Sequence, residues 1–131
     1  MDLEALRLAE AFFAARRPEA LPSVRAFLLG ALERWPEAEI VTQKSQVGLR
    51  DPRPFCALTV QGKRIKGREI PGAVLSLFLP RPLETDCLLM AVEPYPGRFT
   101  NHLILPADPA DFDEALWAWT AEARRFRCGK N

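Results

Sequence analysis

The chain has 131 residues, 48% of them hydrophobic, and its 18 Lys+Arg against 17 Asp+Glu leave a formal charge of +1. That length suits one domain with a sizeable core and no need of a metal or disulfide staple. The charge balance excludes a polybasic tail, an acidic disordered segment and a protein built mainly around nucleic-acid charge.

From the N-terminus, MDLEALRLAE is acidic and helical, unlike a signal sequence, and no apolar run reaches the roughly 18 residues that a membrane span needs. Leu3, Leu6, Ala9 and Phe13 recur at helical spacing, and Arg16-Arg17-Pro18 suits the helix end, where cations meet the negative end of the dipole. Pro22 and Ser23 announce a second helix. Its stripe of Val24, Phe27, Leu28, Ala31, Leu32 and Trp35 ends at Pro36.

From Glu39 the period becomes two. Val41, Gln43, Ser45, Val47 and Leu49 are expected on one face of an extended segment, and the mostly polar Ile40, Thr42, Lys44, Gln46 and Arg50 on the other. After the Asp51–Pro54 turn, residues 55–60 read as a buried strand. Residues 61–72 form a loop holding Lys63, Arg64, Lys66 and Arg68, and 73–79 a second inner strand. Residues 87–92 and 98–105 complete five strands, joined by the rigid turn Glu93-Pro94-Tyr95-Pro96-Gly97.

A C-terminal helix is signposted by Asp108 as N-cap, Pro109 at its first position and Gly129 after its last turn. Its expected buried stripe is Phe112, Ala115, Leu116, Trp119, Ala123 and Phe126, with Trp119 as the anchoring aromatic. Strands close in sequence, flanked by helices, favour an α+β fold: a mainly antiparallel sheet of about five strands packed on two N-terminal helices and one C-terminal helix, in a single domain over residues 1–131.

The stretch VTQKSQVGLRDPRPFCAL (41–58), then EPYPGRFTNHLIL (93–105) and the helix DFDEALWAWTAEA (111–123), resembles a family of small bacterial proteins catalogued as a domain of unknown function, some of them labelled "predicted transport protein". The family's motifs read close to V-Q-K-T-Q-I-x-F and E-P-Y-P-x-R-W-T-H-H, and the match runs in order over nearly the whole chain. This sequence departs from the pattern at Ser45 for Thr, Leu49 for an aromatic, Phe99 for Trp, Asn101 for the first of two histidines and Arg124 for Tyr. The resemblance implies a fold and no established activity.

Cys56, Cys87 and Cys128 form no C-x-x-C pair, which points to reduced thiols in a cytoplasmic protein. Phosphate-loop, dinucleotide, zinc-protease and serine-hydrolase motifs are missing, and with a single histidine neither a metal site nor another cofactor is expected. Cations are uneven: residues 41–100 hold nine basic and five acidic side chains. Arg98, Thr100 and His102, two residues apart, project from one strand face. If the first extended segment is a neighbour, Lys44 joins them, with Ser45, Gln46 and Arg50 in support. Such a group suits a carboxylate or phosphate, Arg offering a planar fork and Lys a point charge.

The residues therefore favour a ligand- or partner-binding accessory module with a cationic polar sheet face, its partner an anionic small molecule or a protein, with no membrane role. An enzyme using His102 as general acid/base beside Arg98 and Lys44 is one alternative. Nucleic-acid binding through the Lys63–Arg68 loop is the other, although no aromatic is interleaved there for base stacking.

Overall fold

Helix α1 (Leu3–Arg16) begins where the Asp2 side chain accepts the Ala5 N–H at 3.1 Å, in a computed structural model that describes residues 2–130. A short 3-10 turn at Pro18–Ala20 leads into α2 (Leu21–Arg34), with Pro22 in its first turn, where a missing N–H costs nothing. Among the described residues the strands are β1 (Glu39–Thr42), β2 (Val47–Arg50), β3 (Pro54–Thr59), β4 (Arg64–Ile65), β5 (Arg68–Glu69), β6 (Val74–Leu79), β7 (Leu88–Tyr95) and β8 (Arg98–Ile104). Helix α3 (Glu114–Cys128) closes the order.

All strand pairs are antiparallel, and the main sheet has six strands in the order β1-β2-β3-β6-β8-β7. The α+β class and the three helices are as the sequence indicates. The strand count differs for two local reasons. The segment read as one extended run folds into the β1–β2 hairpin, because Gln43 N–H meets Gln46 C=O at 2.8 Å around Lys44-Ser45. This turn resets the side-chain alternation. Ile40 and Thr42 now share a face with Val47 and Leu49, and Ile40, Val47 and Leu49 are buried. Residues 63–70, read as a loop, form the β4–β5 arm, whose turn at Lys66 (φ 51°) and Gly67 (φ 76°) takes two successive left-handed residues.

The three helices cover one face of the sheet. Phe13, Phe27 and Leu28 meet Leu58, Leu75, Leu77 and Leu103 in the main core. Helix α3 starts later and is rotated relative to the stripe expected for it. Asp108 caps a 3-10 turn at Pro109–Asp111, and Asp113 caps the helix proper by accepting the Leu116 N–H at 2.9 Å. Its buried residues are Leu116, Thr120, Ala123 and Arg124, while Phe126 is exposed. Trp117, not Trp119, docks on α2, stacked on Phe27 with centroids 5.2 Å apart.

Buried polar groups fix the rest. Asp51 accepts from Arg124 Nη2 at 2.8 Å and from Lys130 Nζ at 2.7 Å, joining the β2–β3 turn to α3. Arg17 is buried and donates to the carbonyls of Gln61, Ile70 and Gly72, which ties the base of the arm to α1. Asn101 is fully buried, accepts the Leu83 N–H at 2.7 Å and donates to the Arg81 carbonyl at 3.1 Å. Asn101→Ala strips both backbone groups of their partner and should cost about 1–3 kcal/mol. A urea-unfolding loss below about 0.5 kcal/mol would show that water replaces the amide there.

Candidate functional site

The face away from the helices is where the sequence-derived residues converge or fail to. One row crosses all six strands: Val41, Gly48, Ala57, Ser76, His102 and Met90 are successive cross-strand partners. The next row towards the β7–β8 turn places Thr100 between Phe78 and Val92. On the other side, Val74 and Ile104 pair, and with Leu89, Ile65 and Ile70 they make a second small apolar cluster under the arm. This face is apolar and polar by turns, rather than the cationic polar face expected. Met90, Val92 and Tyr95 are among its exposed large side chains.

Thr100 and His102 do share this face, as their spacing requires. His102 Nδ1 lies 2.7 Å from the buried Ser76 Oγ, a partner that sequence reasoning missed because Ser76 lies inside an otherwise apolar strand. Burial holds the imidazole below its ordinary pKa, so His102 is neutral at pH 7 and is not a resting cation. His102 also lines a cavity of about 210 Å³, together with Gln61, Ile65, Val74, Leu89 and Met90.

Lys44 does not join this group. It lies in the β1–β2 turn, and β3 and β6 stand between β2 and β8, a separation of about 14 Å at ordinary strand spacing. The register also puts the Lys44 turn at the Ile104 end of the sheet and Arg98 at the opposite end. Arg16 donates to the Lys44 carbonyl at 3.2 Å, holding that turn against α1. Ser45 is exposed in the same turn. Gln46 and Arg50 border a shallow depression of about 80 Å³ with Val41, Gly48 and Phe78, and Arg50 pairs with Glu39 at 3.4 Å on the far edge.

Arg98 has different company. The rigid turn holds it: Gly97 takes φ 75° and donates its N–H to Glu93 Oε2 at 2.8 Å, and the Arg98 guanidinium lies 5.4 Å from the Tyr95 ring centroid. At this end of the sheet Arg127, in the last turn of α3, donates to the Pro54 carbonyl at 3.3 Å, and Cys128 Sγ lies 3.2 Å from the Arg53 carbonyl. Burial, then the like charges of Arg98 and Arg53, push the Arg127 guanidinium below the ordinary arginine value. Among the described residues no salt bridge joins Arg53, Arg98 or Arg127 to a carboxylate.

The basic loop is partly self-satisfied. Arg64 donates to the Gly67 carbonyl and pairs with Glu69 at 3.4 Å, and Arg68 donates to the Leu88 carbonyl at 3.0 Å. Cys56, Cys87 and Cys128 are free thiols, and burial pushes Cys56 up. Among the described residues no three His, Cys, Asp or Glu side chains gather as a metal site would need, and no helix is long and apolar enough to cross a membrane. No family model, curated protein or solved structure matches the chain.

Proposed function

We propose that the protein is a binding module for an anionic ligand, whose charge is taken by Arg98 with Arg53 and Arg127. The observation that carries this reading is three guanidiniums, brought from the β2–β3 turn, β8 and α3 to one end of the sheet, with no carboxylate among the described residues paired to any of them. Like charges held together by backbone geometry repel, and an oxyanion offers each guanidinium a charge-assisted hydrogen bond. The family resemblance, which puts Arg98 and His102 inside one motif, points the same way. A small carboxylate or phosphate and an acidic segment of a partner protein carry the same chemistry. A cytoplasmic setting suits the three free thiols.

Two other readings have less behind them. An enzyme sharing an oxyanion between Lys44 and Arg98 beside His102 meets the opposite placement of those two cations on the sheet. Nucleic-acid binding through the arm loses two of its four cations to internal contacts.

Isothermal titration with inorganic phosphate at low ionic strength tests the proposal. Saturable binding is expected that weakens as salt rises. Arg98→Ala should weaken it by about tenfold, the value of one hydrogen bond to a charged group, and Lys63→Ala by less than about twofold. Equal losses from the two variants, or no saturation, would overturn it.

A further inference from the structure

Resting on the anion-binding reading, we infer that the ligand is an amphipathic anion, a linear aliphatic carboxylate, whose head meets Arg98 and whose chain lies along β8 with its end in the cavity under the β4–β5 arm. Arg98, Thr100 and His102 mark that track, and the four residue steps from Arg98 to His102 span about 14 Å. The track is charged at one end only. Thr100 is flanked by Phe78 on β6 and by Val92 on β7, two larger apolar residues, the first half-buried and the second exposed. At the far end His102 is neutral, and four of the six residues lining the 210 Å³ cavity are apolar.

The sheet itself asks for such a cover. Strands β3 (PFCALT) and β6 (VLSLFL) are near-continuous apolar runs; on the face away from the helices their Ala57, Val74 and Ser76 are buried, while Phe78, beside Thr100 and the exposed Val92, is only half-buried. The arm covers a corner of this face through Ile65 and Ile70. A chain laid between Phe78 and Val92 would cover the part that remains. A bare phosphate satisfies the arginines and leaves the groove empty; a neutral alcohol of the same length fills the groove and leaves the arginines unpaired.

The test is isothermal titration of the intact protein with phosphate, acetate, decanoate below its micellar concentration, and decanol. Each buried methylene contributes about fourfold in affinity, so decanoate should bind more than about a hundredfold tighter than acetate if four or more are covered. Decanol should bind more weakly than decanoate, and Arg98→Ala should remove that difference. The double variant Met90→Gln/Ile65→Asn alters an exposed and a half-exposed position, with circular dichroism confirming that it folds. It should weaken decanoate by about tenfold, the effect of roughly two lost methylenes, and leave phosphate within twofold. If phosphate binds and decanoate is no tighter than acetate, this inference fails while the anion-binding module stands. Decanol equal to decanoate also overturns it, because the arginine end then has no part in selecting the ligand. If neither phosphate nor decanoate binds, both readings fall together.

Discussion

Asp51→Ala is expected to cost about 3–5 kcal/mol of folding stability, because it removes the buried carboxylate that takes up the charge of the buried Arg124 guanidinium and of Lys130. The loss should depend on pH in a definite direction. Burial alone would raise the Asp51 pKa, but hydrogen bonds from Lys130 and Arg124 outweigh it and hold the carboxyl below its ordinary value. A group depressed in the folded state stabilises above its unfolded pKa, near 3.9, and that contribution disappears as pH falls through the lower folded value. Urea unfolding of wild type and variant at pH 7 and at successive values below about pH 4 should therefore show the gap narrowing on acidification. A gap under about 1 kcal/mol at pH 7, or one that widens in acid, would show that the Asp51–Arg124 pair does not hold the β2–β3 turn to α3.

The second large effect lies between α2 and α3. Both tryptophans are half-buried, but Trp117 packs against Phe27, Trp35 and Phe112, so Trp117→Ala should cost about 3 kcal/mol, and Trp119→Ala clearly less. Gly30 supplies the internal check. A Cβ built there would meet Trp117 Cη2 at 2.8 Å and Cζ2 at 2.9 Å, distances that require a rigid indole to move. Gly30→Ala should then destabilise the wild type by about 1–3 kcal/mol through overpacking, against the helix preference of alanine. In the Trp117→Ala background the clash is gone, and the same change should stabilise by up to about 1 kcal/mol. Thermal or urea unfolding of the four proteins measures the coupling. Gly30→Ala stabilising both backgrounds alike would show that Trp117 does not occupy this notch.

What the sequence made legible follows from which signals are local. Helix ends, capping residues and the strong periodicity of Val24 to Trp35 depend on near neighbours, and the elements they mark are present. The rotation of α3 was not legible. Leu116 and Ala123 of the expected stripe are buried, but Ala115, Trp119 and Phe126 fit a helical period beside them as well as Trp117, Thr120 and Arg124 do, and only the notch at Gly30 and the pairing of Arg124 with Asp51 select between the two. The β1–β2 turn carried no glycine or proline, so Lys44-Ser45 read as mid-strand. Grouping Lys44 with Arg98 and His102 requires the first extended segment to neighbour β8, and β3 and β6 stand between them.

The site divides in the same way. Spacing alone placed Thr100 with His102, since alternation along a strand needs no partner. The neighbours came from topology: Ser76 is 26 residues from His102, and Arg53 and Arg127 come from segments far from Arg98 in the chain. Arg17 shows the limit from the other side. Its position at a helix end fits the dipole rule, but it is buried and spans three carbonyls at the base of the arm.

An anion held at the Arg98 end of the sheet, as proposed, would be reported directly by the guanidinium Nε–H resonances of isotopically labelled protein. Titration with phosphate at low salt should shift the signals of Arg53, Arg98 and Arg127 together, along one saturating curve, while those of Arg64 and Arg68 in the arm stay in place. Shifts led by Arg64 and Arg68, or three arginines that do not move, would contradict it.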